Sequence, residues 1–263
     1  MKIYKQVYSL TPFEKLNALD DAQVKEGMYL KIEVEGKTYL GDYFPHTALG
    51  DKALEEVTLN DPYLQNAIEL AKKVDQTIEY RPFKNHLLNK CEADRTTKLK
   101  LKSKNDFELV KDAIRTAKSL RLDANGSFSL DELNDFFKTI DISKIEYIED
   151  PSHEVEWNKL LVPSASDFLL NPHAQFQIHK PNRKMLANKN AIISSYMGSD
   201  WGRVLCTNFL HLFGDFELIH GIITPHIYQE QNEKLFASNN LLNAELVRDL
   251  RISILDNNWE PLA

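Results

Sequence analysis

The sequence predicts an α/β protein, a modified (β/α)7β TIM-like barrel with an α+β N-terminal capping domain. From about residue 95 onwards, short apolar strands alternate with helices, which is typical of a parallel sheet. Seven or eight such units within about 140 residues favour a compact barrel over an open sheet. The first 90 residues lack this alternation and show the pattern of a hairpin followed by a helix.

Two domains are predicted from this change in pattern. The capping domain covers residues 1–90, and a C-terminal segment, about residues 230–263, is expected to pack back on it. The barrel domain covers residues 91–229. The chain of 263 residues is long enough for one large domain or two unequal ones, and it contains no internal repeat and no low-complexity linker.

The capping domain begins with a predicted hairpin. Its strands cover residues 28–34 and 38–44, and the turn between them is Glu-Gly-Lys. A helix is predicted over residues 61–74, because Asp61 is a good N-cap and Pro62 suits the first helical position.

The barrel strands are predicted from short apolar runs, and the helices from amphipathic runs between them. In chain order, the predicted strands are residues 97–102, 119–123, 145–149, 163–169, 176–180, 191–196 and 217–222. The clear helices are residues 106–118, 130–140 and 200–213. Ser129 and Glu132 have the spacing of a capping box at the start of the second helix.

Composition excludes several classes of protein. The formal net charge of −7 does not fit a nucleic-acid-binding protein. No apolar stretch approaches the roughly 20 residues that span a bilayer, and the first residues lack a signal-peptide pattern, so a soluble, cytoplasmic protein is expected. The two cysteines, Cys91 and Cys206, are far apart, and we expect free thiols.

The stretch 119–133 allows two interpretations. Asp123, Asn125 and Glu132 have the spacing of the second half of a calcium-binding EF-hand loop. The first ligand position would then be Arg121, whose positive charge would repel the ion. The preceding residues alternate like a strand instead of forming an entering helix, so Asp123 is predicted to end a barrel strand.

Charged residues close most of the predicted strands. In chain order these are Lys100, Asp123, Glu149, Asp167 and Lys180. Each alone is weak evidence, since such residues commonly cap helices, form turns or protect sheet edges. In a barrel, however, the C-terminal ends of the strands meet at one mouth, where active sites lie. Three carboxylates there suit a hard cation such as Mg²⁺, and a lysine near other cations can act as a base.

The order of these motifs resembles the enolase superfamily and, within it, the o-succinylbenzoate synthases of menaquinone biosynthesis. The resemblance covers about residues 95–200 and, weakly, residues 28–50. It rests on Lys98-Leu99-Lys100, Leu122-Asp123-Ala124-Asn125, Glu149-Asp150-Pro151, Val162-Pro163-Ser164-Ala165-Ser166-Asp167 and Lys180-Pro181.

The resemblance implies a metal site and a reaction. Asp123, Glu149 and Asp167 would bind Mg²⁺. The enzyme would be a lyase that removes the proton α to the carboxylate of a succinyl-hydroxycyclohexadiene carboxylate, forms a metal-stabilised enediolate and eliminates water to give the aromatic product. A carbon acid next to a carboxylate is far too weak to lose its proton unless the new negative charge is stabilised.

The resemblance also implies roles for the lysines. Lys100 would be the base, Lys98 would lower the pKa of Lys100 and help to hold the carboxylate, and Lys180 would stabilise the enediolate. The register stays open between Lys98 with Lys100 and Lys100 with Lys102, because all three alternate on one face. We favour the first pair.

Three further residues are candidates for binding substrate. Ser194 and Ser195 lie where many relatives carry an acidic motif, and they would contact the succinyl tail. Small residues that merely fill the barrel are an equally good interpretation of the two serines. Asn125 follows the first metal motif and is the third candidate.

The sequence also departs from the family pattern. Phe168 stands where relatives carry a glutamate after the third metal ligand. Only 13 positions separate Asp167 from Lys180, too few for a full helical crossover. Either that helix is missing, or Asn171 is the third ligand. A dipeptide or N-acylamino acid epimerase, or a degenerate barrel without catalysis, is therefore the alternative to the synthase.

Overall fold

The computed structural model describes residues 1–13, 24–47, 50–183, 191–224 and 227–262. The strands are β1 (Lys2–Leu10), β2 (Lys25–Val34), β3 (Lys37–Tyr43), β4 (Leu87–Leu88), β5 (Thr96–Lys100), β6 (Ser119–Asp123), β7 (Ile145–Glu149), β8 (Ser164–Ser166), β9 (Phe176–His179), β10 (Ala191–Ile193) and β11 (Glu260–Pro261). The helices are α1 (Pro62–Val74), α2 (Asp106–Thr116), α3 (Leu130–Phe137), α4 (Asp200–Phe213) and α5 (Ala244–Leu255).

The N-terminal residues form an antiparallel sheet in the order β11-β1-β2-β3. The predicted hairpin is present: β2 pairs with β3, and the turn residues Glu35 and Gly36 have φ values of 51° and 76°. Two successive residues with positive φ suit the right-handed twist of the flanking strands. Strand β1 was not predicted. Strand β11 pairs with it, so the last described residues lie on this sheet.

Helix α1 covers one face of the antiparallel sheet. It begins as predicted, because the Asp61 side chain accepts hydrogen bonds from the backbone N–H groups of Tyr63 and Leu64. Leu64 and Ile68 on its inner face pack in one buried cluster with apolar residues of β2, including Leu30. Helix α1 also contacts β3. The residues that follow β3, including His46, lie near Lys180 at the end of β9.

The second sheet is parallel and follows the order β10-β9-β8-β7-β6-β5-β4. Among the described residues, two isolated parallel bridges link its curled edges, His220 with Asn85 and Gly221 with Ser194. The predicted strand 217–222 is therefore wrong as a regular strand. Because isolated bridges stand in place of a regular strand, the ring of regular strands is not fully closed.

Helices α2, α3 and α4 confirm the three predicted helices of the second domain. The capping box of Ser129 and Glu132 is formed at the start of α3. The crossover from β8 to β9 contains no helix, and the residues between them form turns and bends. Helix α4 is buried along most of its length and contacts α1 and β3, and its Phe209 stacks on His179 of β9, so it joins the two sheets.

A buried carboxylate also joins the two sheets. Asp42 of β3 accepts hydrogen bonds from Tyr8 Oη at 2.7 Å and Ser199 Oγ at 2.9 Å, and from the hydroxyl of Tyr196. Burial raises the pKa of Asp42 to about 6, although the three hydroxyl groups act to lower it. The group therefore titrates close to neutral pH.

We expect Asp42→Asn to stabilise the protein at pH 8. A carboxyl group whose pKa is higher in the folded state stabilises the fold below its unfolded pKa and loses that contribution as pH rises through about 6. The uncharged amide avoids this loss, and hydroxyl groups can accept from its N–H. The expected gain in the free energy of unfolding is about 1–3 kcal/mol at pH 8, with a smaller gain at pH 4.5.

Urea unfolding at the two pH values measures this difference. Asp249→Asn on the exposed surface of α5 is the matched control and should change little at either pH. A variant less stable than the wild type at pH 8 would show that the hydroxyl groups stabilise the carboxylate charge more than burial penalises it.

Across the described residues, no helix combines the length and the apolar character needed to cross a membrane. Cys91 and Cys206 are free thiols, as predicted.

Candidate active site

The C-terminal ends of β5, β6 and β7 carry three of the predicted site residues side by side. In the parallel register, Lys100 lies opposite Asp123, and Asp123 lies opposite Glu149. Asp167 directly follows β8, and Lys180 directly follows β9. Below these residues β6 and β7 are largely buried, and a layer of charge is already present there as the ion pair between Arg121 and Glu146.

Lys98 lies between two of the carboxylates. Its Nζ atom is 2.8 and 2.7 Å from the two carboxylate oxygens of Glu149 and 3.0 Å from Asp123 Oδ2. Burial acts to lower the pKa of Lys98, but the charges of Asp123 and Glu149 outweigh it and hold this pKa well above its usual range. Lys98 is therefore a fixed cation.

A second ion pair joins Lys180 to the third carboxylate. The Nζ atom of Lys180 is 2.7 Å from Asp167 Oδ1 and also contacts Oδ2. Burial acts to raise the pKa of Asp167, but the ammonium group of Lys180 overrides it and lowers this pKa. Burial raises the pKa of Glu149, and the charges of Asp123 and Asp167 add to the effect. The three carboxylates thus share one electrostatic environment.

Lys100 differs from the other two lysines. Within the described residues its side chain forms no ion pair, and it is half-buried at the end of β5. Burial lowers its pKa, and the neighbouring charges of Lys98 and Lys180 act in the same direction, against the attraction of Asp123. A lysine with a lowered pKa carries a larger neutral fraction near pH 7, which suits a general base.

The carboxylates offer the kind of oxygen ligands that Mg²⁺ prefers. Asp123 Oδ1 is buried and has no hydrogen-bond partner, so this oxygen is available to a ligand. Over the part of the chain that is described, no three Asp, Glu, His or Cys side chains are grouped closely enough to hold an ion. Lys98 bridges Asp123 and Glu149 instead. The donor set therefore fits Mg²⁺ in type, and the ion would compete with the lysine ammonium groups for it.

The structure separates the alternatives that the sequence left open. Lys102 lies beyond the end of β5 and is exposed, whereas Lys98 and Lys100 lie on the strand. The side-chain amide of Asn171 bonds to loop backbone atoms, including the carbonyl of Val155 at 3.0 Å. Phe168 is 58% exposed. Asp167, and not Asn171, therefore lies with the other two carboxylates.

The three predicted substrate-binding residues lie in different settings. Ser194 Oγ is 3.3 Å from the carbonyl oxygens of Ser195 and Gly221, at the bridge between the sheet edges. Ser195 is buried, and its hydroxyl group accepts from Met197 N at 3.4 Å. Asn125 is exposed in a turn with φ 47°. Their contacts with substrate stay predictions.

The EF-hand interpretation of residues 119–133 is wrong. Asp123 ends β6, and α2 ends before that strand begins. Arg121 lies inside the curled sheet, where its Nε atom is 2.7 Å from Glu146 Oε2 and its guanidinium group stacks over Tyr147. Arg121, whose charge spoke against calcium binding, is thus ion-paired with Glu146 one layer below the site.

Sequence reasoning missed His46, which follows the antiparallel sheet and lies near the candidate site. His46 follows β3, and its Nε2 atom is 2.5 Å from the carbonyl oxygen of Tyr196. Burial lowers the pKa of His46 to about 4, and the charges of Arg183 and Lys180 contribute, so the ring lies near both. Arg183 is ion-paired with Asp51. The sequence offered one signal of further charge at this place, the basic residue Arg183 three positions after Lys180.

No family model matches the chain, and no curated protein matches its sequence. Solved structures do match its fold. MenC from Desulfotalea psychrophila LSv54 is 14% identical with a TM-score of 0.67, over 93% of this chain and 99% of that one. An enolase family member from Agrobacterium tumefaciens with homology to dipeptide epimerases, with sodium and L-Ala-L-Glu bound, is 12% identical with a TM-score of 0.67, over 91% and 97%.

A third similar structure is 2-chloromuconate cycloisomerase from Rhodococcus opacus 1CP, which is 11% identical with a TM-score of 0.65, over 92% of both chains. Of the three, the Agrobacterium tumefaciens protein is described as an enolase family member. At such low identity the likeness shows the fold alone, a barrel-like parallel sheet with an N-terminal cap.

Proposed function

We propose that the chain is a Mg²⁺-dependent dehydratase, an o-succinylbenzoate synthase that acts on a small carboxylate substrate in the cytoplasm. The observation that carries this proposal is the adjacency of Lys100, Asp123 and Glu149 on neighbouring parallel strands. This arrangement joins a lysine of lowered pKa to a cluster of oxygen ligands, as abstraction of a proton α to a carboxylate requires.

The three lysines divide the proton chemistry. Lys100 removes the α-proton and returns it to the departing hydroxyl group, so that water leaves. Lys98 cannot share this work, because two carboxylates hold it protonated. Lys180 is ion-paired with Asp167, and its ammonium group would stabilise the negative charge that develops on the substrate carboxylate.

Asp123, Glu149 and Asp167 would hold Mg²⁺. When bound, the ion supplies positive charge that offsets the second negative charge on the substrate carboxylate. The unpartnered Asp123 Oδ1 supports the role of that residue as a ligand. The other carboxylate oxygens of the three residues contact Lys98 or Lys180. We therefore expect metal binding to displace both ammonium groups from these oxygens.

A second candidate function is epimerisation of dipeptides or N-acylamino acids. It is favoured by the neighbour from Agrobacterium tumefaciens that binds L-Ala-L-Glu, and by the influence of Lys180 on the pKa of Lys100. Two lysines near one substrate could remove and return a proton. The missing helix between β8 and β9 and the exposed Phe168 favour a degenerate barrel as the remaining alternative.

A pair of assays separates these functions. Aromatisation of 2-succinyl-6-hydroxy-2,4-cyclohexadiene-1-carboxylate is followed by absorbance, with Mg²⁺ or with EDTA. Exchange of the α-hydrogens of L-Ala-L-Glu in D₂O is followed by NMR. We expect aromatisation that EDTA stops. Exchange of the dipeptide without aromatisation would assign the epimerase, and neither activity in a folded protein would support the degenerate barrel.

A further inference from the structure

Asp150 follows Glu149 at the end of β7, and its carboxylate binds three successive backbone N–H groups of another loop. Its Oδ1 atom accepts from Asp167 N at 3.0 Å and from Leu169 N at 3.3 Å, and its Oδ2 atom accepts from Phe168 N at 2.8 Å. Bonds from N–H groups to a charged carboxylate are stronger than those between neutral groups.

The backbone of Asp150 is also tied to β8 on one side and to the loop after β6 on the other. Its N–H group donates to the carbonyl of Ala165 at 2.9 Å, and its own carbonyl accepts from Gly126 N at 2.7 Å. Its φ value of 42° lies in the left-handed region, which aims the side chain at the loop after β8. Asp150 therefore connects the loops that follow β6, β7 and β8.

The other backbone anchors of the loop after β8 lie further along it. Residues 167–175 contain no helix, Phe168 is 58% exposed and Leu170 is 81% exposed. Asn171 Nδ2 donates to the carbonyl of Val155 at 3.0 Å, and Gln175 N donates to the carbonyl of Ser164 at 3.0 Å. The Ser166 hydroxyl group donates to the carbonyl of Leu169 at 2.7 Å, which fixes one point of the turn. The Asp150 carboxylate fixes the three N–H groups, including that of Asp167 itself.

We infer that Asp150 is a positioning residue, whose carboxylate holds Asp167 at the site in place of the missing helix. Lys180 depends on the same contact, because its ammonium group is paired with Asp167. The importance of this for catalysis rests on the proposed function. The contact between Asp150 and the loop does not rest on the proposed function, so an experiment can refute either one without the other.

Two variants isolate the carboxylate from the backbone. Asp150→Gly keeps the positive φ accessible and removes all three hydrogen bonds. Asp150→Asn also tolerates the left-handed region and keeps one acceptor oxygen, in the position that serves Asp167 and Leu169. Asp141→Gly is the control, because its carboxylate likewise accepts a backbone N–H, that of Ser143, in an exposed turn at the opposite ends of the strands.

Amide hydrogen exchange of residues 167–169 is the first measurement and needs neither metal nor substrate. We expect exchange at all three amides to rise at least about tenfold in Asp150→Gly, as protection of order 1.4 kcal/mol or more is lost. In Asp150→Asn, the rise should be largest at Phe168. Unchanged exchange in Asp150→Gly would overturn the inference.

Titration with Mg²⁺ by calorimetry is the second measurement. We expect Asp150→Gly to bind the ion roughly 10- to 100-fold more weakly than the wild type, the range for groups that orient metal ligands, with Asp150→Asn between them. Faster exchange with wild-type affinity and turnover would reduce Asp150 to a structural role and overturn the inference. A wild type without Mg²⁺ binding would instead refute the proposed function, while the exchange result still decides the contact.

Discussion

Replacing Lys100 by alanine is expected to lower kcat by roughly 10²- to 10⁴-fold, the usual contribution of a general base. Burial and two neighbouring cations lower the pKa of Lys100, whereas Lys98 is held protonated and cannot replace it. The ammonium form of Lys100 is destabilised by burial, so its removal should not unfold the protein. Turnover by absorbance and thermal unfolding by circular dichroism measure both expectations.

Two further variants sharpen the test. Lys100→Arg keeps the positive charge but cannot lose its proton near pH 7, so it should be as inactive as Lys100→Ala. Lys102→Ala removes an exposed lysine two positions later and should leave kcat unchanged. Full activity in both Lys100 variants would contradict the assignment of the base.

Asp123→Asn is expected to weaken Mg²⁺ binding by at least about 10- to 100-fold, because even groups that only orient metal ligands have effects of this size. The amide is similar in shape, but it lacks the negative charge and one of the two oxygens. Oδ1 of Asp123 is the buried carboxylate oxygen without a hydrogen bond, and Oδ2 is 3.0 Å from Lys98. Titration calorimetry with Mg²⁺ measures the affinity directly.

Asp135→Asn makes the same change in charge on the exposed face of α3, where Asp135 pairs with Lys138. It should bind Mg²⁺ like the wild type. If Asp123→Asn also bound the ion with unaltered affinity, Asp123 would not be a ligand, and the strand-end carboxylates would have a structural role only.

The sequence predicted most of the site because its signals are local. Strands β6 and β7 have the predicted bounds, and each ends on its carboxylate. The C-terminal ends of parallel strands lie at the mouth of a barrel, so a charged residue that closes a strand is a candidate for the site even where the strand has other polar residues. Lys100, Asp123 and Glu149 could therefore be identified before the register of the sheet was known.

The features that the sequence did not predict depend on distant contacts. Strand β1 alternates between half-buried and exposed residues, so its pattern is weak. The residues of the predicted last strand, 217–222, bridge both sheet edges without forming a regular ladder. Asp150 acts on a loop 17 to 19 positions away, and only the folded chain brings the two together.

The fate of the α-hydrogen tests the central claim most directly. The cyclohexadiene substrate is prepared with deuterium on the carbon next to the ring carboxylate, and the wild-type enzyme is assayed with Mg²⁺ by absorbance and mass spectrometry. The account predicts slower turnover of the labelled substrate, an aromatic product without the label, and no product with Lys100→Ala. Equal rates with both substrates, a product that keeps the label, or no turnover by the wild type would contradict it.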